Sequence, residues 1–416
     1  MADAAPTSFS AVFRVREFQA LWFAQVFSIA GDQLARVALT LLVYARTGSS
    51  ALSALTYALT FLPDLVGGPL LSGLADRYPR RTVMVVSDVI RAVLVGIMSI
   101  NGMPLLLVCV LLVLVQLLNS PFNAARAALL PTMLDGDLFV GGQAIINITY
   151  QTGTLAGYVI GGALVAFTGS DTALAIDAAT FVLSAILVRI GVAHRAAPGK
   201  VEPKVRFGAT LTSLREGLRL VSHNRTLRIL VALGCVSGFY VVGEALSVPY
   251  ARELGGGPFT AGLLFAAMPA GTAIGMVVLT RFIAPPVRLR LIGPLAVLSC
   301  VVLVLCAGHL NLAGTLIVWA VSGAAQAFQT VAAAAFVRAV PDNGRGQAFG
   351  LASTSLRLAQ GLAVVIGGVI TERLAPSWAV AIFAIVGTVI ALATAISWGK
   401  SRQTLDTDGL NAATEA

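Results

Sequence analysis

Residues 72–81, Ser72-Gly73-Leu74-Ala75-Asp76-Arg77-Tyr78-Pro79-Arg80-Arg81, form a basic island where two long apolar stretches meet, 49–74 and 82–100. Each charge left in hydrocarbon costs about 2.5–3.5 kcal/mol even on a lenient scale, so this island belongs in water. Its flanks have the roughly 20-residue apolar length that crosses a bilayer. The segment therefore reads as a short water-facing loop between two membrane helices.

The same rhythm of apolar stretch and polar joint fills the chain. Of 416 residues, 57% are hydrophobic and only 11% charged, with a mean hydropathy of +0.88. A soluble domain has about a quarter of its residues charged, which excludes a single water-facing globule. Cys109, Cys235, Cys300 and Cys306 all fall in apolar stretches, with neither a disulfide framework nor metal-ligand spacing. His194, His223 and His309 lie in joints, and no G-x-x-x-x-G-K-[ST] phosphate loop occurs. The sequence thus points to no enzyme, no metal and no cofactor. The net charge of +9 is spread over loops, which argues against nucleic acid as a partner. Residues 1–17 are polar and mixed in charge, so no cleavable leader is expected.

Twelve spans follow, at 18–44, 49–74, 82–100, 104–127, 143–167, 172–190, 227–250, 259–280, 291–308, 312–337, 347–370 and 377–398. Breakers such as Asn101-Gly102 and Pro285-Pro286 mark the joints. Trp22, Trp319, Trp378 and Trp398 fall near span ends, where indoles favour the interface. With both termini in the cytoplasm, the external loops carry only Arg46, Arg252 and Arg373. Arg36, Arg91 and Arg357 lie deep within spans, and the other 22 of the 28 basic residues fall on the cytoplasmic side, three of them (Arg126, Arg189 and Arg228) at the cytoplasmic ends of spans. That bias fixes the expected orientation, and an odd number of spans would destroy it.

A polar stretch, 191–226, separates two sets of six spans. The expected organisation is a tail at 1–17, a bundle at 18–190, the linker, a second bundle at 227–398 and a tail at 399–416. Within the linker, Leu211, Leu214, Leu218 and Val221 share one helical face opposite Arg215, Glu216 and Arg219, with Ser213 and Glu216 spaced as a capping box. This reads as an amphipathic helix on the membrane surface. A faint internal repeat supports two halves: Gly142-Gln143-Ala144 with Gly157 and Gly161-Gly162 echoes Gly346-Gln347-Ala348 with Gly361 and Gly367-Gly368.

The island at 72–81 resembles the signature loop of the major facilitator superfamily, G-x-L-A-D-R-x-G-R-R, with Ser72 and Pro79 in its two glycine positions. The resemblance implies an all-α membrane protein of twelve helices in two pseudo-symmetric six-helix bundles. It also implies a cytoplasmic gate of Asp76, Arg77, Arg80, Arg81 and Arg126, closing on the start of the eleventh span near Arg345–Ala348. Gly153-x-x-x-Gly157-Tyr158-x-x-Gly161-Gly162 resembles the fifth-helix signature of the family's proton-coupled drug antiporters, with Tyr158 in place of proline. Small residues at that spacing also serve plain helix packing. Arg16-Glu17-Phe18-Gln19-Ala20-Leu21-Trp22 leading to Gly31-Asp32, and Pro341-Asp342-Asn343-Gly344-Arg345-Gly346, resemble its multidrug and siderophore exporters.

Charges inside spans mark candidate sites. Asp32 and Arg36 lie one turn apart in the first span, and Asp64 lies at comparable depth in the second. These three are the proton-coupling candidates, with Asp64 favoured because no cation is near it in sequence. Asp88 and Arg91 read as a structural pair, and Asp177 as an anchor near the outer end of the sixth span. Glu244, Gln326, Gln329 and Arg357 are the cavity and substrate candidates of the second half. The expectation is a monomeric secondary transporter of the cytoplasmic membrane, exporting a small amphipathic molecule against protons, with lipid as its surroundings. An importer or uniporter of the same fold, or a non-transporting membrane receptor, are the alternatives.

Overall fold

The computed structural model describes residues 9–71, 73–196, 207–340 and 345–414, without the side chains of 69, 207–214, 285, 345 and 402–414. Ser72 and Pro341–Gly344 of the motifs lie outside the described residues, as do the side chains of Leu211 and Leu214.

Among the described residues every regular element is helical. The spans are α1 (Arg16–Thr47), α2 (Ser50–Leu59, then Asp64–Leu71), α3 (Arg80–Met98), α4 (Leu105–Leu129), α5 (Asp137–Thr168) and α6 (Ser170–Gly191). After a linker helix, Phe207–His223, come α7 (Arg225–Cys235, Ser237–Ala245 and Ser247–Glu253), α8 (Pro258–Arg281) and α9 (Pro285–Val301 with a 3-10 turn Val302–Gly308). The last three are α10 (Leu312–Gln326 and Phe328–Ala339), α11 (Arg345–Ile370) and α12 (Pro376–Thr414). Among the described residues, ten helices are long and apolar enough to cross a membrane. The remaining two, α3 and α5, are 19 and 32 residues long. Arg80, Arg81, Asp88 and Arg91 lower the apolarity of α3, and glycine, threonine and glutamine dilute α5.

The breaks have local causes. Pro63 has no N–H to bond back one turn, and α2 restarts at Asp64. Interrupted helices at membrane depth are tolerated where protein packs around them or a cavity adjoins them.

The chain forms two compact units. Unit 1 comprises the described residues within Met1–Gly48, Leu59–Phe207 and Gly257–Gly262; unit 2 those within Ser49–Ala58, Gly208–Gly256 and Leu263–Ala416. Each unit thus takes a short segment from the other half of the sequence, and the glycine pairs explain how. In unit 1, a Cβ on Gly161 would press on the Leu34 backbone of α1, and one on Gly162 would stand 2.6 Å from the Gly262 Cα. In unit 2, Gly367 faces Val242 of α7, and a Cβ on Gly368 would stand 2.7 Å from the Ala54 Cβ. The repeat seen in the sequence is therefore a repeat of packing roles.

One end of unit 1 is closed by Phe18, Leu21, Met84, Phe122, Leu129, Ile146 and Val188. Val12, from the short helix Phe9–Val12, is buried in the same cluster, so part of the expected N-terminal tail is docked. In unit 2, Gly271 and Gly275 of α8 and Gly323 of α10 allow near backbone contact between these helices.

Two sequence expectations change here. The linker helix begins at Phe207, so Ser213 lies inside it and makes no capping box. Its Gly217 packs on the Gln347 carbonyl, and Glu216 accepts a 3.0 Å hydrogen bond from Gln347 Nε2. The helix is held against α11, with Val221 buried and Leu218 58% exposed. Trp319, expected at the interface, is wholly buried, with Tyr250 edge-on at 5.4 Å. Gly243 leaves the room that its indole occupies.

Candidate functional site

The i, i+3 spacing of Asp88 and Arg91 puts both on one face of α3, and that face is fully buried in unit 1. Arg91 Nη1 stands 3.5 Å from Asp88 Oδ1, while Ser184 Oγ of α6 donates to Asp88 Oδ2 at 2.6 Å. Arg91 Nη2 meets Asp32 Oδ1 of α1 at 2.6 Å, and the guanidinium lies 4.0 Å from the Phe181 ring centre. One buried arginine thus serves two carboxylates. The Asp88 carboxyl is fully covered, whereas the Asp32 side chain keeps 24% exposure.

Spacing along α1 suggests Arg36 as the partner of Asp32, and the structure corrects this. The close partner of Asp32 is Arg91, brought from another helix, while Arg36 Nη1 donates to Tyr158 Oη of α5 at 2.8 Å. Tyr158 stands where the antiporter signature has proline, so the departure from the motif supplies an arginine contact. The row Gly153, Gly157 and Gly161 packs on Ile29, Gln33 and Leu34 of α1. Those glycines let α5 approach closely enough for the tyrosine to reach.

Asp32, Arg36, Thr60, Gln116 and Asp177 line one small cavity of about 10 Å³. Asp64 follows the break in α2, in the first turn of its second segment. Unpaired amides at a helix N-terminus favour negative charge.

The expected gate residues sit at one end of unit 1. Asp76 and Arg77 are exposed on a short helical turn, Leu74–Arg77. Arg80 Nη1 donates to the Ala128 carbonyl at 2.7 Å, and Arg81 Nη2 donates to that of Arg189. Both arginines therefore satisfy carbonyls near helix C-termini, where positive charge is favoured. Arg126 lies in the last turn of α4, half-buried.

Unit 2 carries a more neutral set. Tyr57 Oη donates to Glu244 Oε2 at 2.6 Å and its ring stacks on Phe265 at 5.9 Å. Gln329 Nε2 donates to the Gly234 carbonyl at 3.2 Å and to Tyr240 Oη at 3.0 Å, tying α10 to α7. Gln326 closes the first segment of α10, and Arg357 is half-buried on α11. A cavity of about 500 Å³ opens among α7, α8, α9, α10 and α12, with Arg288, Arg338 and Trp398 beside apolar Leu230, Val331 and Ala335. Glu372, in the loop after α11, accepts from the Ala51 N–H at 2.9 Å and from Ser49 Oγ at 2.7 Å. Those donors at the start of α2 hold its carboxyl below the usual carboxylate range.

Sequence reasoning found Asp32, Asp88 and Arg91 but not their union. It missed Ser184, Gln116, the arginine contact of Tyr158 and the depth of Asp177. The hydroxyls and the amide carry no pattern of their own. The arginine count within spans was the one available signal, since each buried cation requires an acid.

The family model described as Major Facilitator Superfamily matches residues 21–314 and 238–409. The "Uncharacterized MFS-type transporter YvqJ" of Bacillus subtilis (strain 168) is 28% identical over 266 residues, covering 62% of each chain. "Multidrug efflux pump Tap" of Mycobacterium tuberculosis (strain ATCC 25618 / H37Rv) is 28% identical over 55% of this chain and 56% of its own. "Macrolide efflux protein A" of Streptococcus pyogenes is 23% identical, over 54% and 55%. The matched region therefore spans little more than half the length of these relatives. Among solved structures, a POT family transporter in complex with 5-aminolevulinic acid superposes with a TM-score of 0.74 at 12% identity, covering 92% of this chain and 96% of its own. The nucleoside transporter NupG gives 0.70 at 15%, covering 92% and 98%. At such identities these structures establish the fold alone.

Proposed function

The chain belongs to the major facilitator superfamily, and on that premise we propose that it exports small amphipathic molecules across the cytoplasmic membrane in exchange for protons. The observation that carries this reading is the Asp32–Arg91–Asp88 triad. Arg91 is shared between a fully covered acid and a partly exposed one. Protonating Asp32 removes its charge and leaves Arg91 to Asp88 alone, so a proton redistributes the forces between α1 and α3. A ligand shifts a conformational equilibrium only through such differential stabilisation of two states. Asp32 is the entry point for the proton, with Arg36 as its charged neighbour in the cavity.

Export is supported by the relatives whose names describe efflux. The bias of basic residues supports cytoplasmic termini, with the Asp76–Arg81 loop on the same side, where Asp76, Arg77, Arg80, Arg81 and Arg126 form a gate. Gln326, Gln329, Glu244 and Arg357 belong to the substrate-facing set. The protein acts as a monomer, needs no cofactor and makes no covalent change to its cargo.

The test is ethidium accumulation in cells expressing the chain. Wild type lowers accumulation, a protonophore abolishes the effect, and Asp32→Asn matches the empty vector at equal membrane abundance. Protonophore-insensitive efflux, or full efflux by Asp32→Asn, would remove the proton from the mechanism.

A further inference from the structure

The sequence places Asp177 as an anchor near a helix end, yet its carboxyl is 1% exposed in the middle of the charged cluster. Oδ1 receives only a long 3.3 Å bond from Thr180 Oγ1 of its own helix. Oδ2 is buried without a donor among the described residues. The carboxyl also lies directly on α1 at Gly31, where any side chain would collide with Oδ1 and with the Thr180 hydroxyl. A glycine next to Asp32 thus makes room for a second acid.

The charges around it are accounted for. From α1, Asp32 and Arg36 face the same cavity, with Gln116 from α4 and Thr60 from the break in α2. From α3, Asp88 and Arg91 lie nearby, but Arg91 is engaged by Asp32 and Asp88, and Arg36 donates to Tyr158. An ionised Asp177 would add a third anion to a group holding two cations and leave one oxygen buried without a donor, a costly arrangement. A neutral Asp177 balances two acids against two arginines. The cavity of about 10 Å³ is at the lower limit for one water-sized occupant.

We infer that Asp177, facing Asp32 across this cavity, is a proton-binding site in which Asp177 carries the proton. Its O–H breaks when the Asp32–Arg91 pair opens, and the proton forms a new O–H on the Asp32 carboxylate. Asp177 is left anionic, beside the arginine that Asp32 has released. Asp32, the more exposed acid, then passes the proton to water. This deepens the proton-exchange reading and rests on it for its role, though the site is testable without transport.

The experiment is infrared spectroscopy of the purified full chain in lipid nanodiscs, at neutral pH and free of sodium, in light and heavy water. Wild type should show a carboxylic C=O band that moves in heavy water. Asp177→Asn should lose it and Asp177→Glu should shift it. Gly31→Ala should displace it, which reads the same site without altering the acid. A band unchanged in Asp177→Asn overturns the assignment. Loss of the wild-type band on adding sodium chloride also overturns it, because the occupant would be a metal ion. Efflux read in parallel separates the two claims. Proton-driven ethidium efflux retained by Asp177→Asn removes this residue's role and spares the function. A band present without such efflux keeps the site and sinks the function.

Discussion

The interiors of the two units are held together by different means. Unit 1 buries Asp88, Arg91 and Asp177 together with the inner face of Asp32, whereas unit 2 is closed by glycine against backbone and by neutral hydrogen bonds such as Gln329–Tyr240. The cavity at Asp32 in unit 1 is about 10 Å³ and lined by acids and arginine, whereas the one beside Trp398 in unit 2 is about 500 Å³ with a mixed apolar wall. Buried charge is conditionally stable, since one proton changes the balance, while close backbone packing does not respond to pH. Under the proposed proton exchange, the coupling residues belong to unit 1.

The strongest way to break this contrast is Arg91→Ala. It leaves Asp32 and Asp88 without their shared cation, and removing one partner of a buried pair costs about 3–5 kcal/mol. Thermal unfolding in detergent should show the largest loss of any single change considered. The triple change Arg91→Met, Asp32→Asn and Asp88→Asn should recover much of it. No recovery would mean that packing on Phe181, not charge, is the larger contribution.

A direct comparison of the units comes from two tyrosines. Tyr158→Phe removes a hydrogen bond to the charged Arg36, worth about 1.5–3 kcal/mol, whereas Tyr240→Phe removes a neutral bond worth about 0.5–1.5 kcal/mol. Unfolding by denaturant should rank them in that order, and the reverse ranking would erase the distinction. Unit 2 should respond instead to volume. A methyl at Gly271 meets the Ala320 carbonyl, so Gly271→Ala should cost about 1–3 kcal/mol, as overpacking does. It should leave any pH profile of transport unmoved.

The smallest effect is at Glu372, exposed and outside the spans. Its carboxyl is held low by the Ala51 amide and the Ser49 hydroxyl, so the contact contributes above the unfolded value, 4.5, and is lost as pH falls through the lowered folded value. Amide exchange at the start of α2 should rise over that acid range and become independent of it in Glu372→Gln.

Much of the fold was legible because a bilayer imposes long apolar runs and segregates basic residues, and both are one-dimensional signals. The loop at 72–81 and the α5 glycines stood out because they are contiguous motifs. Partnerships across helices were not. Arg36 looked like the partner of Asp32 because spacing along one helix is all that a sequence displays, and Arg91 came from a helix 59 residues on. Asp177 looked peripheral because its place along α6 gives no sign that Gly31 opens a pocket for it. Asp64 appeared isolated because no cation lies near it along the chain, although Pro63 already marked the break that puts it at a helix start.

Proton exchange itself is read in proteoliposomes of the purified chain. With the lumen acidified and a pH-sensitive dye enclosed, adding ethidium outside should collapse the gradient as ethidium enters, for wild type but not for Asp32→Asn. Ethidium movement that leaves the lumenal pH unchanged, equal in both proteins, would contradict it.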